Sequence, residues 1–230
     1  MRADDEKRLA GEAAAGRVES GMIVGLGTGS TAAHFVRALA ARVRSGLQVR
    51  GVPTSSATAA LAEELGIALA SLDEVRAIDL TVDGADEIGP GLALIKGGGA
   101  ALLREKLVWE ASRRCLVIAD AAKRVATLGR FPLPIEVVAF GHAQTANRIT
   151  DILAEHDIGQ GPRLRTRNGE PVVTDGGNLI YDAACGRITA PAALAQALKG
   201  LTGVVDHGLF LDLADEGILG VGAGVEWLAP

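Results

Sequence analysis

The sequence is poor in cysteine and in aromatic residues and carries no excess of positive charge, and each shortage removes a class of function. Its two cysteines, Cys115 and Cys185, stand far apart. Without paired spacing they offer neither a zinc site nor a disulfide framework, and a reducing compartment, the cytoplasm, is expected. Two Trp, one Tyr and four Phe leave few rings for stacking on bases. A net charge of −5 gives no broad attraction to nucleic acid or to an anionic membrane, so an anionic substrate has to be held by a local site. No segment reaches the roughly 18 uninterrupted apolar residues of a membrane span. The charged stretch Met1–Glu12 lacks the apolar run of a secretory leader. The four histidines, His34, His142, His156 and His207, are dispersed without metal-ligand spacing and read as structural or solvated.

What the chain has instead is glycine, 30 residues of it, gathered where apolar runs give way to helical segments. The runs Met22–Leu26, Leu47–Val52, Ile78–Val82, Leu92–Ile95 and Cys115–Ala119 are near-continuously apolar, as parallel strands covered on both faces must be. The segments between them predict helices over Thr31–Val43, Ala57–Leu65 and Ala100–Arg113. At Gly129–Pro134 the sequence Gly-Arg-Phe-Pro-Leu-Pro cannot continue a helix and reads as a stiff linker. Beyond it, Ile135–Phe140 reads as a strand, Ala143–His156 as a helix, Pro171–Thr174 with Leu179–Asp182 as a hairpin, and a further helix follows Pro191. The strands Val204–Leu211 and Ile218–Val221 are expected to rejoin the first sheet. The fold class is therefore α/β: a Rossmann-like, mostly parallel sheet covered by helices, with an inserted smaller α+β domain of ferredoxin-like type. The boundaries place residues 1–130 and 205–230 in the larger domain and 131–204 in the inserted one.

In an open parallel sheet, ligands bind beyond the carboxyl ends of the strands, which directs attention to the residues after each run. The first is followed by Gly25-Leu26-Gly27-Thr28-Gly29-Ser30-Thr31. Glycines allow close approach, and amides at a helix start with several hydroxyls suit a phosphate; a tight turn with Ser30 or Thr31 as N-cap is the plainer alternative. A dinucleotide fingerprint fits poorly, because its third glycine would fall at Ser30 and no acidic residue ends the second strand near Val49–Thr54. The third run delivers Asp83-Gly84-Ala85-Asp86-Glu87. Its carboxylates could move protons between sugar hydroxyls, could serve only as turn residues, or could meet magnesium if phosphate partners were present. The fourth run ends in Lys96-Gly97-Gly98-Gly99, a cation beside open space, or else a flexible connection. On the helix that follows, Glu105 shares a stripe with Ala101, Leu102, Val108 and Trp109. Burial there would raise a carboxyl pKa toward that of a general base. Leu103 and Leu107 make the other face apolar too, so cover on both sides, or an exposed ion-pair role for Glu105, is also open. The fifth run leads to Asp120 and Lys123 at the same edge.

Together these motifs resemble the type A ribose-5-phosphate isomerases, and in order and spacing the match covers nearly the whole chain. It is carried by the Gly25–Ala32 loop, Thr54-Ser55-Ser56, Asp83–Glu87, Lys96–Lys106, Ile118-Ala119-Asp120 with Lys123, and Phe131–Val137, and it extends through Val173-Thr174-Asp175 and Gly208-Leu209-Phe210. The resemblance implies interconversion of ribose 5-phosphate and ribulose 5-phosphate in the pentose phosphate pathway, with no metal and no organic cofactor. It implies Glu105 as the base that carries a proton between C2 and C1, Asp83 for ring opening, and Asp86 and Lys96 for the reacting oxygens. Thr28, Gly29, Ser30 and Thr31 with Lys7 and Lys123 would hold phosphate and sugar, lined further by Gly84, Ala85, Gly97, Gly98 and Gly99. It also implies a homodimer in which the inserted domain serves as lid and subunit contact, with a small sugar phosphate as partner and neither nucleic acid nor membrane. The loops of Ser30, Asp83 and Lys96 and the Glu105 carboxylate are expected to converge at one sheet edge. The competing readings are a non-catalytic sugar-phosphate sensor, which lacks a DNA-binding segment here, and a nicotinamide-dependent dehydrogenase.

Overall fold

The structure, a computed structural model, describes residues 3–230. The chain forms two compact units, one of residues up to Ala85 with Arg104–Arg124 and Asp212–Pro230, the other of Asp86–Leu103 with Val125–Leu211. Residues 86–103 thus pack with the second unit, where the division read from the Gly129–Pro134 break left them in the first.

The first unit is built on a six-stranded sheet. In chain order its strands are β1 (Ile23–Leu26), β2 (Arg50–Pro53), β3 (Leu80–Gly84), β6 (Cys115–Asp120), β14 (Glu216–Val221) and β15 (Gly224–Leu228), and across the sheet the order is β15-β14-β6-β3-β1-β2. All neighbours are parallel except the β14–β15 hairpin at one edge. The parallel strands are covered, and β6 is buried along its whole length, which is why its sequence is an unbroken apolar run up to Asp120. Helix α1 (Ala3–Ala15) opens with Asp4, Asp5 and Glu6, whose charges complement the amide end of the helix. It packs on α2 (Ser30–Arg44) through Ala10 and Ala14 against Phe35, Val36 and Leu39, above Val24, Leu26, Val82 and Ile118 of the sheet. Gly11 permits this approach, since a methyl there would lie 2.7 Å from the Phe35 nitrogen. Helix α3 (Ser56–Glu64) is capped by Ser55, whose hydroxyl accepts the Thr58 amide. Helix α4 (Leu102–Glu110) has Val108 in the small cluster with Val52 and Ile78.

The second unit has its own core. Four antiparallel strands in the order β12 (Val204–His207), β7 (Leu133–Val137), β11 (Leu179–Ala183), β8 (Arg163–Leu164) carry α5 (His142–Glu155) and α6 (Pro191–Lys199). Alternation explains the burial: Leu133, Ile135 and Val137 enter the cluster with Ile149, Leu153, Leu194 and Leu198, while Pro134 and Glu136 point to the other face. A three-stranded antiparallel sheet joins β13 (Leu209–Phe210), β5 (Leu94–Ile95) and β4 (Glu87–Ile88), and a two-stranded ribbon pairs β9 (Thr166–Arg167) with β10 (Glu170–Pro171).

Several expectations are corrected. The run Leu92–Ile95 is no fourth parallel strand but the two-residue β5, antiparallel on both sides. Val204–Leu211 does not rejoin the first sheet; Gly208 divides it between two sheets of the second unit, and β14 alone of the two expected strands joins β6. The hairpin turn forms over Thr174–Asn178, but its first arm is reduced to a single bridge between Val173 and Leu179. The Gly129–Pro134 segment is pinned rather than a linker: the fully buried Glu87 carboxylate accepts the amides of Gly129 at 2.7 Å and Phe131 at 2.6 Å. Pro134 is the second residue of β7; its carbonyl accepts the Gly208 amide at 2.7 Å, while the Gly208 carbonyl accepts the Lys96 amide, so no donor is needed at position 134 on that side. No helix among the described residues is long and apolar enough to cross a membrane.

Candidate active site

In the first unit the glycine loop after β1 is shaped by one carboxylate. Asp83, in β3 and with no exposed surface, accepts the backbone amides of Thr28 at 3.0 Å and Gly84 at 2.7 Å on its Oδ1. Gly27 is required beside it, since a methyl group would stand 2.2 Å from that oxygen and 2.5 Å from the Asp83 Cα. Asp83 is therefore more than turn punctuation: it bolts the β1 loop to β3. Thr28 turns its hydroxyl inward to Thr54 at 2.7 Å, Ser55 at 2.8 Å and Thr58 at 3.2 Å, and Thr58 closes the cluster by donating to the Gly27 carbonyl at 3.0 Å. This cluster went unread in the sequence beyond the motif Thr54-Ser55-Ser56, because hydroxyl residues on separate elements carry no shared periodicity.

Helix α2 begins at Ser30 with Gly29 as N-cap at φ 101°, a backbone region open to glycine, and no side chain caps its amides. Neither Ser30 nor Thr31 takes the cap, which sets aside the plainer alternative for this loop. An uncapped helix start combines unsatisfied N–H groups with the positive end of the helix dipole. A cation stands beside it: Lys7 Nζ of α1 donates to Ser30 Oγ at 3.1 Å. Lys123 lies in the short helical turn Ala121–Lys123 after β6, a turn capped by the buried Asp120, whose Oδ1 accepts the Ala122 amide at 3.1 Å. Gly84 and Ala85 are half-buried at the end of β3.

Glu105 on α4 is 4% exposed, together with buried Ala101, Leu102, Val108 and Trp109. Leu107 is 47% exposed, so the helix is covered along one stripe and the reading of cover on both faces fails. Lys106, the next residue along the helix, is buried as well.

In the second unit, Lys96 follows β5 and is 2% exposed, its Nζ 5.4 Å from the centroid of the Phe210 ring. Its amide donates to the Gly208 carbonyl at 2.9 Å, and a methyl on Gly208 would collide with the Lys96 carbonyl at 2.2 Å, which ties the Gly208-Leu209-Phe210 motif to this lysine. Asp86 accepts the Gly98 amide at 2.8 Å. Gly97 at φ 106° and Ala100 at φ 59° put the left-handed region on either side of the turn, an unfavourable conformation for alanine that marks a constrained loop. Gly98 and Gly99 are exposed. Arg165 belongs to no motif read from the sequence; it donates to the carbonyls of Gly97 at 2.8 Å and Gly98 at 3.2 Å while its Nε donates to Asp182 at 2.8 Å. Three arginines at alternate positions, Arg163, Arg165 and Arg167, look alike in sequence, and only the fold singles out the middle one.

The two cysteines are free. Burial pushes the Cys185 thiol up to about 11 from 9.0, with the Glu87 carboxylate adding to the rise and a hydrogen bond at Leu133 opposing it. No group of three or more His, Cys, Asp or Glu among the described residues is placed to hold a metal ion.

The family model of ribose 5-phosphate isomerase A (phosphoriboisomerase A) matches residues 50–224. Ribose-5-phosphate isomerase A of Caulobacter vibrioides is 71% identical over 231 residues, covering 100% of both chains. That of Parvibaculum lavamentivorans is 52% identical, covering 98% of each. Among solved structures, ribose 5-phosphate isomerase from Plasmodium falciparum superposes with a TM-score of 0.93 at 36% identity over 99% of each chain. A D-ribose-5-phosphate isomerase in complex with phospho-erythronic acid superposes with a TM-score of 0.92 at 39% identity over 100% of each chain.

Proposed function

The chain belongs to the ribose 5-phosphate isomerase A family, and from that premise we propose how its own residues carry out the reaction. It is an aldose–ketose isomerase that interconverts D-ribose 5-phosphate and D-ribulose 5-phosphate, a step of the non-oxidative pentose phosphate pathway. The substrate's phosphate is received by Ser30, Thr31 and the amides at the start of α2, with Lys7 and Lys123 supplying charge. The uncapped helix start and the Lys7–Ser30 contact support that assignment. Thr28 contributes its backbone, because its hydroxyl is engaged with Thr54, Ser55 and Thr58.

Asp83 assists opening of the furanose. The Glu105 carboxylate then removes the C2 proton, and the electron pair moves into an enediolate whose anionic oxygen is met by Lys96 and by donors near the glycine loop, while Asp86 holds the reacting hydroxyl and passes its proton from O2 to O1. The Glu105 carboxyl returns its proton to C1 and gives the ketose, so no redox partner, metal or organic cofactor enters. Gly84, Ala85, Gly98 and Gly99 leave backbone open to the sugar, and Gly97 holds the turn beneath them. Phospho-erythronic acid, the ligand of the related structure, pairs a phosphate with a carboxylate, which is the charge pattern of such an enediolate.

The observation that carries this reading is the burial of Glu105, since a proton shuttle must be kept from bulk water. Glu105→Gln is expected to keep sugar-phosphate binding and lose roughly 10²–10⁴-fold in turnover, the usual share of general-base catalysis. Conversion of ribose 5-phosphate followed by circular dichroism, with chelator present as a control, measures it. Substantial residual turnover would show that the proton travels elsewhere.

The enzyme is assigned to the cytoplasm and to a homodimer with the second unit as subunit contact. Phe140, 95% exposed, with Val138 and Val173 near the same end of the four-stranded sheet, supports the subunit contact. Sedimentation equilibrium of the wild-type chain reads the assembly state.

A further inference from the structure

Glu6 has no part in the reaction as assigned so far, yet its side chain joins three parts of the first unit. Its Oε1 accepts the Gly222 amide at 3.1 Å, in the turn between β14 and β15, and its Oε2 accepts the Ala121 amide at 3.4 Å, in the turn that carries Lys123. Its backbone is seated as closely: a methyl on Gly220 would stand 2.0 Å from the Glu6 carbonyl oxygen. Lys7 is the next residue of α1, rotated about 100° around the helix axis, and it reaches Ser30.

We propose that Glu6 is a positioning residue for substrate phosphate: it fixes the rotation of α1 that aims Lys7 at Ser30 and ties that helix to the turn bearing Lys123, so that two cations from separate elements address one anion. The inference rests on the reading that Lys7, Lys123 and the start of α2 receive the phosphate. Packing of α1 on β6 and β14 sets its distance from the sheet, and the Glu6 carboxylate adds directed bonds to the two turns at the end of those strands. The Asp4–His34 pair at 2.9 Å holds the helix near α2, but Asp4 is largely exposed and such pairs hold weakly. Gly11 and Ala14 pack against α2 and the sheet core. A carboxylate so near an anion site would oppose binding if its charge faced the ligand; here both oxygens face backbone amides, which absorb that charge.

Steady-state kinetics with ribose 5-phosphate, and inorganic phosphate as competing anion, test this on the full chain. Glu6→Ala is expected to raise both KM and the inhibition constant of phosphate about five- to tenfold, with kcat within about twofold, the scale of one or two charge-assisted hydrogen bonds. Glu6→Gln, the same shape with one acceptor retained, is expected to lie between Glu6→Ala and the parent, and it carries the test should the alanine variant fail to fold. Phosphate inhibition unchanged in both variants, tighter phosphate binding in Glu6→Gln, or a fall in kcat at constant KM overturns the proposal. Lys7→Ala and Lys123→Ala separate it from its premise. If they weaken phosphate inhibition while the Glu6 variants do not, the positioning role alone fails; if neither lysine matters, the phosphate reading fails and this inference with it.

Discussion

Replacing Asp83 by alanine and by asparagine distinguishes a carboxylate that builds the loop from one that also does chemistry. Alanine removes the acceptor of two amides, Thr28 and Gly84, at a position with no exposed surface. A buried donor left without a partner costs about 1–3 kcal/mol, and part of this is offset because a charge no longer has to be desolvated, so the net loss is set at ~3 kcal/mol. For a chain of this length that corresponds to a fall in Tm of roughly 6–12 °C. Asparagine keeps the Oδ1 acceptor and nearly the same volume, so its cost should stay below ~1.5 kcal/mol. Urea and thermal unfolding of both variants give the stabilities, and turnover of ribose 5-phosphate at a temperature where both remain folded gives the chemistry. The expected pattern is a strongly destabilised alanine variant and an asparagine variant that is stable but slow in turnover. An alanine variant within 1 kcal/mol of the parent, or an asparagine variant as unstable as it, would refute the loop-building role. A fully active asparagine variant would refute the part in ring opening.

Two glycines of the same network should respond oppositely. Gly27→Ala meets the Asp83 Cα at 2.5 Å, which backbone cannot readily yield, and is expected to cost ~3 kcal/mol or more. Gly84→Ala finds nothing nearer than 3.8 Å and should leave the melting temperature within about 2 °C of the parent, so any rise in KM there reports on the ligand. The high thiol pKa of Cys185 gives a pH prediction. The folded state holds the thiol protonated to about 11 while the unfolded chain ionises it from 9.0, so stability falls as pH rises from 9 toward 11. Tyr181, also raised by burial, adds to that loss above pH 10. Cys185→Ala should show a flatter decline in urea midpoint over the interval, and native Cys185 should alkylate slowly at pH 9 compared with the unfolded chain; equal alkylation rates would contradict the burial.

The first sheet was legible because its strands are covered on both faces and its helices carry their own stripes. Val24–Leu26, Val82 and Leu116–Ala119 could hardly be anything but interior, and the glycine loop announced a backbone that had to come close to something. What that something is, the Asp83 carboxylate, follows only from the β1–β3 pairing. The second unit was harder to read for a physical reason. Strands of two residues, such as Glu87–Ile88, Leu94–Ile95 and Leu209–Phe210, are too short to show alternation and are defined by partners distant in sequence. Helix α1 shows no apolar stripe in sequence because its buried positions are alanines and a glycine, small enough to be overlooked beside six charged neighbours. The burial of Glu105 was legible in its stripe, while Glu6 and Arg165 act on backbone amides and carbonyls, groups that every residue has and no pattern advertises.

The route of the chain also bears on its synthesis. Because the first unit draws strands β14 and β15 from the end of the sequence, its sheet cannot be completed while the ribosome is still making residues 125–211. The second unit has all its strands once Leu211 is out, so it can mature while strand β6 still lacks its neighbour β14. During that interval the β6 edge is bare, buried apolar side chains and all, and a nascent chain stalled there would be the species most prone to aggregate or to need a chaperone.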